Sequence, residues 1–168
     1  SKQKAIVSRL SAIEELAGVD VLCSDKTGTL TQNHLTVDSA IPFDPKTTPD
    51  EVILGAALAC QPESTDAIDQ AVLSALKDKK SLEGFKQVSF TPFDPVNKKT
   101  LAVVQDASQK QTSYAKGAPQ VIATLCGISE TSSDDPRSTA YFGKVSELAS
   151  HGTRALGVAR SDDGGKTW

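Results

Sequence analysis

The stretch Cys23-Ser24-Asp25-Lys26-Thr27-Gly28-Thr29-Leu30-Thr31 carries the residue types that phosphate chemistry needs. It follows residues 19–22, a run whose apolar pattern predicts a buried strand. A carboxylate at the C-terminal end of such a strand lies where open α/β sheets receive their ligands. Glycine and hydroxyl residues suit a tight loop whose N–H groups turn toward an anion, and Lys26 adds positive charge. So placed, the Asp25 carboxylate can act as a nucleophile toward phosphate and become an aspartyl-phosphate.

Four further patches carry polar groups on otherwise apolar scaffolding. In Phe93-Asp94-Pro95-Val96-Asn97-Lys98-Lys99 an aromatic beside a proline-fixed turn can offer its ring face to a purine. The lysines that follow can meet phosphate oxygens as point charges, Lys98 first and Lys99 if the turn shifts by one residue. In Lys116-Gly117-Ala118-Pro119 small residues allow a ligand close to the backbone, and the lysine ends a strand where it can point into a pocket. In Asp66-Ala67-Ile68-Asp69 the second aspartate can accept from an adenine amino group, and Arg154 of Gly152-Thr153-Arg154, entering a strand, can make a planar contact with phosphate. Taken singly, the same residues read as a core phenylalanine beside solvated lysines, an exposed lysine, a favourable first-turn charge and a surface arginine.

In this order the motifs resemble the P-type ATPases, and the loop around Asp25 resembles that family's phosphorylation signature. The resemblance implies that Asp25 receives the γ-phosphate of ATP, with Lys26 and Thr27 beside it. It also implies that the Thr27 carbonyl and Asp25 help hold Mg²⁺. Phosphatases of the same broad fold carry a second acid two positions after the nucleophile, which protonates the leaving group and activates water. Thr27 stands there instead, so a long-lived phosphoenzyme is expected, as a pump requires. By motif position Phe93 matches the adenine-stacking aromatic, Lys98, Lys116 and Gly117 the nucleotide-binding lysines and glycine, Asp69 the acid near the adenine, and Arg154 the arginine near the phosphates.

Asp66-Ala67-Ile68-Asp69, Phe93-Asp94-Pro95-Val96 and Leu156-Gly157-Val158-Ala159-Arg160 are most similar to plasma-membrane proton pumps, with calcium or another cation as the alternative. The resemblance implies ATP and Mg²⁺ as cofactors and the cytoplasmic face of a membrane as the location. The implied partners are the transmembrane, actuator and completed phosphorylation domains of a pump. It also leaves the distal Mg²⁺ ligands, and the lysine that contacts the phosphate, outside the 168 residues. The isolated chain is therefore expected to bind nucleotide without turning it over. A free-standing nucleotide-binding module and a small phosphatase are the rival classes, the latter disfavoured by Thr27.

These residues need elements to hold them. A helix is predicted over residues 5–17, with Ile6, Leu10, Ile13 and Ala17 on one face and Gly18 to end it. Proline crowds residues 39–49 into a connector. Thr48-Pro49-Asp50-Glu51 is a capping box opening a helix to about residue 60, and Ser64 or Thr65 is expected to cap a helix over 66–77. Alternation from Phe85 predicts three strands, at 85–90, 101–104 and 112–116, antiparallel because their connections are too short for a crossover. Helices follow at 118–127 and 136–150, and a strand at 155–159. The expected class is α+β, an antiparallel sheet flanked by helices over 38–168, preceded over 1–37 by a remnant of a parallel α/β phosphorylation domain.

Hydrophobic residues at 38% and charged residues at 23% predict a soluble globular chain that can bury a core. A net charge of −3 with scattered basic residues argues against nucleic acid as a partner. The longest apolar run, 52–60, is far short of the roughly 20 residues of a membrane span. No signal peptide is read at the start. Cys23, Cys60 and Cys126 have no metal-ligand spacing and fit reduced thiols in a cytosolic compartment, and His34 and His151 are lone.

Overall fold

The computed structural model describes residues 9, 11–21, 23–26, 30–32, 34–132 and 134–168. The chain divides into two units, Ser1–His34 and Leu35–Trp168.

In the first unit helix α1 spans Ser11–Leu16 and buries none of its residues. Positions 5–8 and 10 of the predicted helix lie outside the described residues, as does Leu22 of the predicted strand. The described part of that strand, Val19 to Val21, is not in a strand, and both valines are exposed. The physical reason is pairing. A strand satisfies its backbone through a neighbour, and none of the described residues of this unit forms a second strand. The parallel-sheet remnant expected over the first 37 residues thus has no described strand.

The second unit is α+β. Helix α2, Pro49–Leu58, starts as its sequence dictates: the Glu51 N–H donates to Thr48 Oγ1 at 3.3 Å and the Thr48 N–H to the Glu51 carboxylate at 2.7 Å. Helix α3, Ala67–Ala75, is capped by Asp66 rather than by Ser64 or Thr65. Asp66 Oδ1 accepts from the Ile68 and Asp69 N–H groups, and the Ser64 hydroxyl accepts from the Asp66 N–H one step earlier. A short 3-10 turn, Lys79–Leu82, leads into the sheet.

Strands β1 (Phe85–Thr91), β2 (Lys99–Asp106), β3 (Gln111–Gly117) and β4 (Gly157–Ser161) form one antiparallel sheet in the order β1-β2-β3-β4. Between β3 and β4 come α4 (Pro119–Leu125) and α5 (Pro136–Ser150), the latter ending before Gly152 at a φ of +74°. The alternation predicted for β1 slips once. A bulge between Gln87 and Ser89 leaves Val88 exposed while Phe90 returns toward the core. β4 begins two residues later than predicted, at Gly157, where a Cβ would meet Ile122 Cβ at 2.8 Å and the Tyr141 hydroxyl at 2.9 Å.

Period-2 alternation sorts the sheet into two faces. Thr100, Lys116 and Val158 face α2 and α3, over a core of Ala56, Ala57, Cys60 and Val72. Leu101, Ala115 and Ala159 face α4, packed on Ile122 and Leu125. No helix among the described residues is long and apolar enough to cross a membrane.

Candidate nucleotide site

The strand register brings several of the predicted residues to one end of the sheet. Lys99 pairs with Gly117 and Gly117 with Gly157, while Thr91 and Leu101 close β1 onto β2 at the same end. Phe93 follows β1 by two residues, Lys98 precedes β2, and Arg154 precedes β4 by three. Arg154 therefore lies in the connector before β4, not at the entry of a strand as expected, and it is exposed.

The turn bearing Phe93 is fixed by Asp94. Its carboxylate accepts from the Val96 and Asn97 N–H groups at 3.1 Å each, and its carbonyl from the Lys98 N–H at 2.6 Å. Those backbone bonds hold the Asp94 carboxyl below its ordinary value. Lys98 takes a φ of +50°, in the left-handed region that most residues avoid. The turn leaves Phe93 59% exposed. A surface this apolar on a hydrogen-bonded turn is not a core phenylalanine. The turn is also held to β3, because the Lys98 carbonyl accepts from the Ala118 N–H at 3.0 Å. A Cβ at Gly117 would stand 2.3 Å from that carbonyl and 2.7 Å from Lys99 Cα, so only glycine fits.

Lys116 is not where the sequence reading put it. It is 3% exposed, and its ammonium is paired with the Asp69 carboxylate, itself 8% exposed. Burial pushes the Asp69 carboxyl up, but the hydrogen bond and charge of Lys116 outweigh it and the net shift is downward. The strand period explains the correction. Lys116 sits between Ala115 and Gly117 with its side chain on the α2–α3 face, under the first turn of α3, rather than at an open strand end.

Sequence reasoning missed a third member of this cluster. Cys60 Sγ lies 3.0 Å from Lys116 Nζ, across 56 residues of sequence, and no local pattern announces that contact. The thiol is placed just past the end of α2, where the carbonyls of the two residues that follow the helix are met by side chains of the sheet. Thr100 Oγ1 donates to the Ala59 carbonyl at 3.0 Å and Gln87 Nε2 to the Cys60 carbonyl at 3.2 Å. Cys23, Cys60 and Cys126 are all free thiols.

In the first unit Asp25 and Lys26 are both exposed. The Thr31 N–H and hydroxyl both donate to the Lys26 carbonyl, at 3.1 and 3.2 Å. Thr27, predicted as a catalytic neighbour and metal ligand, lies outside the described residues, as do Gly28 and Thr29. Among the described residues no three His, Cys, Asp or Glu side chains are grouped to hold a metal ion.

No family model matches the chain. Individual proteins do. It is 44% identical over 166 residues to Plasma membrane ATPase 1 of Saccharomyces cerevisiae, a match covering 95% of this chain and 18% of the relative. The Neurospora crassa plasma membrane ATPase is 43% identical over 174 residues, again 95% of this chain and 18% of the relative. A Methanocaldococcus jannaschii protein, whose name describes a candidate cation-transporting ATPase, is 45% identical over 162 residues, 95% of this chain and 19% of its own. The chain thus spans under a fifth of the length of these relatives.

Proposed function

Since the chain is homologous to a segment of the P-type ATPases, we propose that its second unit binds ATP at this sheet end and that Asp25 is the phosphate acceptor of the intact enzyme. The observation that carries the reading is the exposed Phe93 ring on a turn locked by Asp94, beside Lys98 and a Gly117 that tolerates no side chain. The purine stacks on Phe93. Lys98 and Arg154, both exposed cations, meet the phosphates, and Asp69 with Lys116 forms a polar floor beside them.

Transfer to Asp25 is an in-line displacement. A carboxylate oxygen forms a bond to the γ-phosphorus while the bond to the β,γ-bridging oxygen breaks, and ADP leaves with that electron pair. The reacting atoms must approach to about 3–3.5 Å for this to occur. Mg²⁺ accompanies ATP in such chemistry and demands a near-octahedral oxygen shell. Asp25 and the carbonyl of Thr27, the latter outside the described residues, are the ligands this chain would offer. The remaining ligands would come from the nucleotide and from the rest of such a pump, which would also supply its transmembrane and actuator parts. Residues 1–37 would belong to the phosphorylation domain and 38–168 to the nucleotide-binding domain.

The proposed ion is the proton, on the motifs at Asp66–Asp69, Phe93–Val96 and Leu156–Arg160, and the proposed location is the cytoplasmic face of the plasma membrane. Another cation is the second reading, favoured by the name of the M. jannaschii relative. The isolated chain is expected to bind ATP with about −4 to −6 kcal/mol, millimolar to tens of micromolar, and almost independently of Mg²⁺. Incubation with γ-labelled ATP, with equilibrium binding measured before an acid quench, tests both halves. Binding in that range without label on Asp25 is expected. Stoichiometric, hydroxylamine-labile label on Asp25 would contradict the incomplete metal site, and no binding at several millimolar would overturn the nucleotide reading.

A further inference from the structure

The buried cluster under the sheet end contains one group that the nucleotide reading does not use. Lys116 Nζ donates to Asp69 and to Cys60 Sγ, the latter at 3.0 Å, while the Cys60 thiol donates to the Ala56 carbonyl at 3.3 Å. Lys116 and Cys60 are each 3% exposed and Asp69 8%. Among the described residues no buried side-chain nitrogen or oxygen lacks a hydrogen-bond partner, and the partners of this ammonium are Asp69 and Cys60. An ammonium has three donors and no acceptor capacity. Once desolvated, it is stable only if acceptors surround it.

We propose that Cys60 is a positioning residue for Lys116. Its neutral sulfur accepts an N–H and fixes the ammonium against Asp69, beneath the strand end that carries Gly117. This inference rests on the nucleotide reading for its functional consequence but not for its geometry. Three features suit a thiol to the role. First, it accepts without adding charge, so Lys116 and Asp69 compensate one another; a second carboxylate or a thiolate would leave the cluster net negative. Second, burial pushes the Cys60 thiol up to about 11 against the opposing effect of Lys116, which keeps it protonated at neutral pH. Third, the thiol is held from both sides. Its own carbonyl accepts from Gln87 of β1, the neighbouring Ala59 carbonyl accepts from Thr100 of β2, and Thr100 pairs with Lys116 in the sheet. Strands of the same sheet as the lysine therefore also fix the backbone that carries the sulfur.

A packing role and an acceptor role are separable by substitution. Cys60→Ser keeps an acceptor with a slightly shorter reach, whereas Cys60→Val fills the space and offers none. The primary readout is the Lys116 ammonium signal in a proton–nitrogen correlation spectrum of the ligand-free 168-residue chain, with β-sheet amide dispersion as the check on folding. The parent and Cys60→Ser are expected to show a slowly exchanging Lys116 signal. In Cys60→Val exchange should quicken at least tenfold or the signal should vanish. The second readout is ATP affinity. It should fall about 3- to 10-fold in Cys60→Val, hold within 2-fold in Cys60→Ser, and be insensitive to residue 60 in a Lys116→Gln background. If Cys60→Val matches the parent in ammonium exchange, Cys60 only packs and the proposal is overturned. If the parent chain does not bind ATP, the nucleotide reading fails, while the ammonium spectrum still decides the role of Cys60.

Discussion

Asp69 is a carboxylate at the start of a helix, and its consequence for stability follows from its partner. Its ordinary value is 3.8, and the Lys116 ammonium overcomes the effect of burial to bring it lower in the folded chain. A group with a depressed folded value contributes stability that is fully present above its unfolded value and is lost as pH falls through the folded one. Asp69→Asn should therefore lower stability at neutral pH, by about 3 kcal/mol if the Lys116 charge is left buried and poorly paired. The gap to the parent should narrow as pH drops from 5 to 2. Urea unfolding of both proteins across that range measures it, and a gap independent of pH would mean that ionisation of Asp69 contributes nothing to stability. These residues were legible in the sequence only as types. Asp69 and Lys116 were each singled out, but their mutual pairing, and Cys60 with them, joins positions 47 and 56 residues apart. Contacts at that separation are set by tertiary packing and leave no local pattern to read.

At the scale of elements, the sequence was most informative where a local rule acts alone. The Thr48–Glu51 capping box formed as read, because its hydrogen bonds lie within one turn. The antiparallel order of β1 to β3 followed from short connections. Prediction failed where a partner decides. Residues 19–21 are apolar enough for a strand but have no described neighbour to pair with, and the β1 bulge shifts the phase of Val88 without a proline or glycine to mark it. Gly117 is where element geometry and the site meet. Gly117→Ala must push β3 from the Lys98 carbonyl and Lys99, which leave 2.3 and 2.7 Å for the new carbon. A loss of about 1–3 kcal/mol is expected, the usual cost of forcing extra atoms into a packed contact. Thermal unfolding measures it, and an unchanged midpoint would show that the strands part freely there.

Over the whole molecule the net charge is −3, so the overall charge does not favour a nucleotide polyanion. Attraction would be local, and the exposed cations at this end of the sheet, Lys98 and Arg154, are where the proposal puts it. The proposed acceptor Asp25 belongs to the first unit and the proposed nucleotide residues to the second, so the proposed binding and transfer can be tested separately. Binding is the one that the second unit can be asked to perform alone, and stacking on Phe93 is its central claim. The direct measurement is an ATP titration of the parent chain and of Phe93→Ala, followed by amide NMR. The parent should show shifts concentrated in residues 91–99, 116–118 and 152–157. Phe93→Ala should bind about 5- to 150-fold more weakly, the equivalent of roughly 1–3 kcal/mol for a lost base stack. Equal affinity in the two proteins, or shifts confined to other parts of the sheet, would contradict the account.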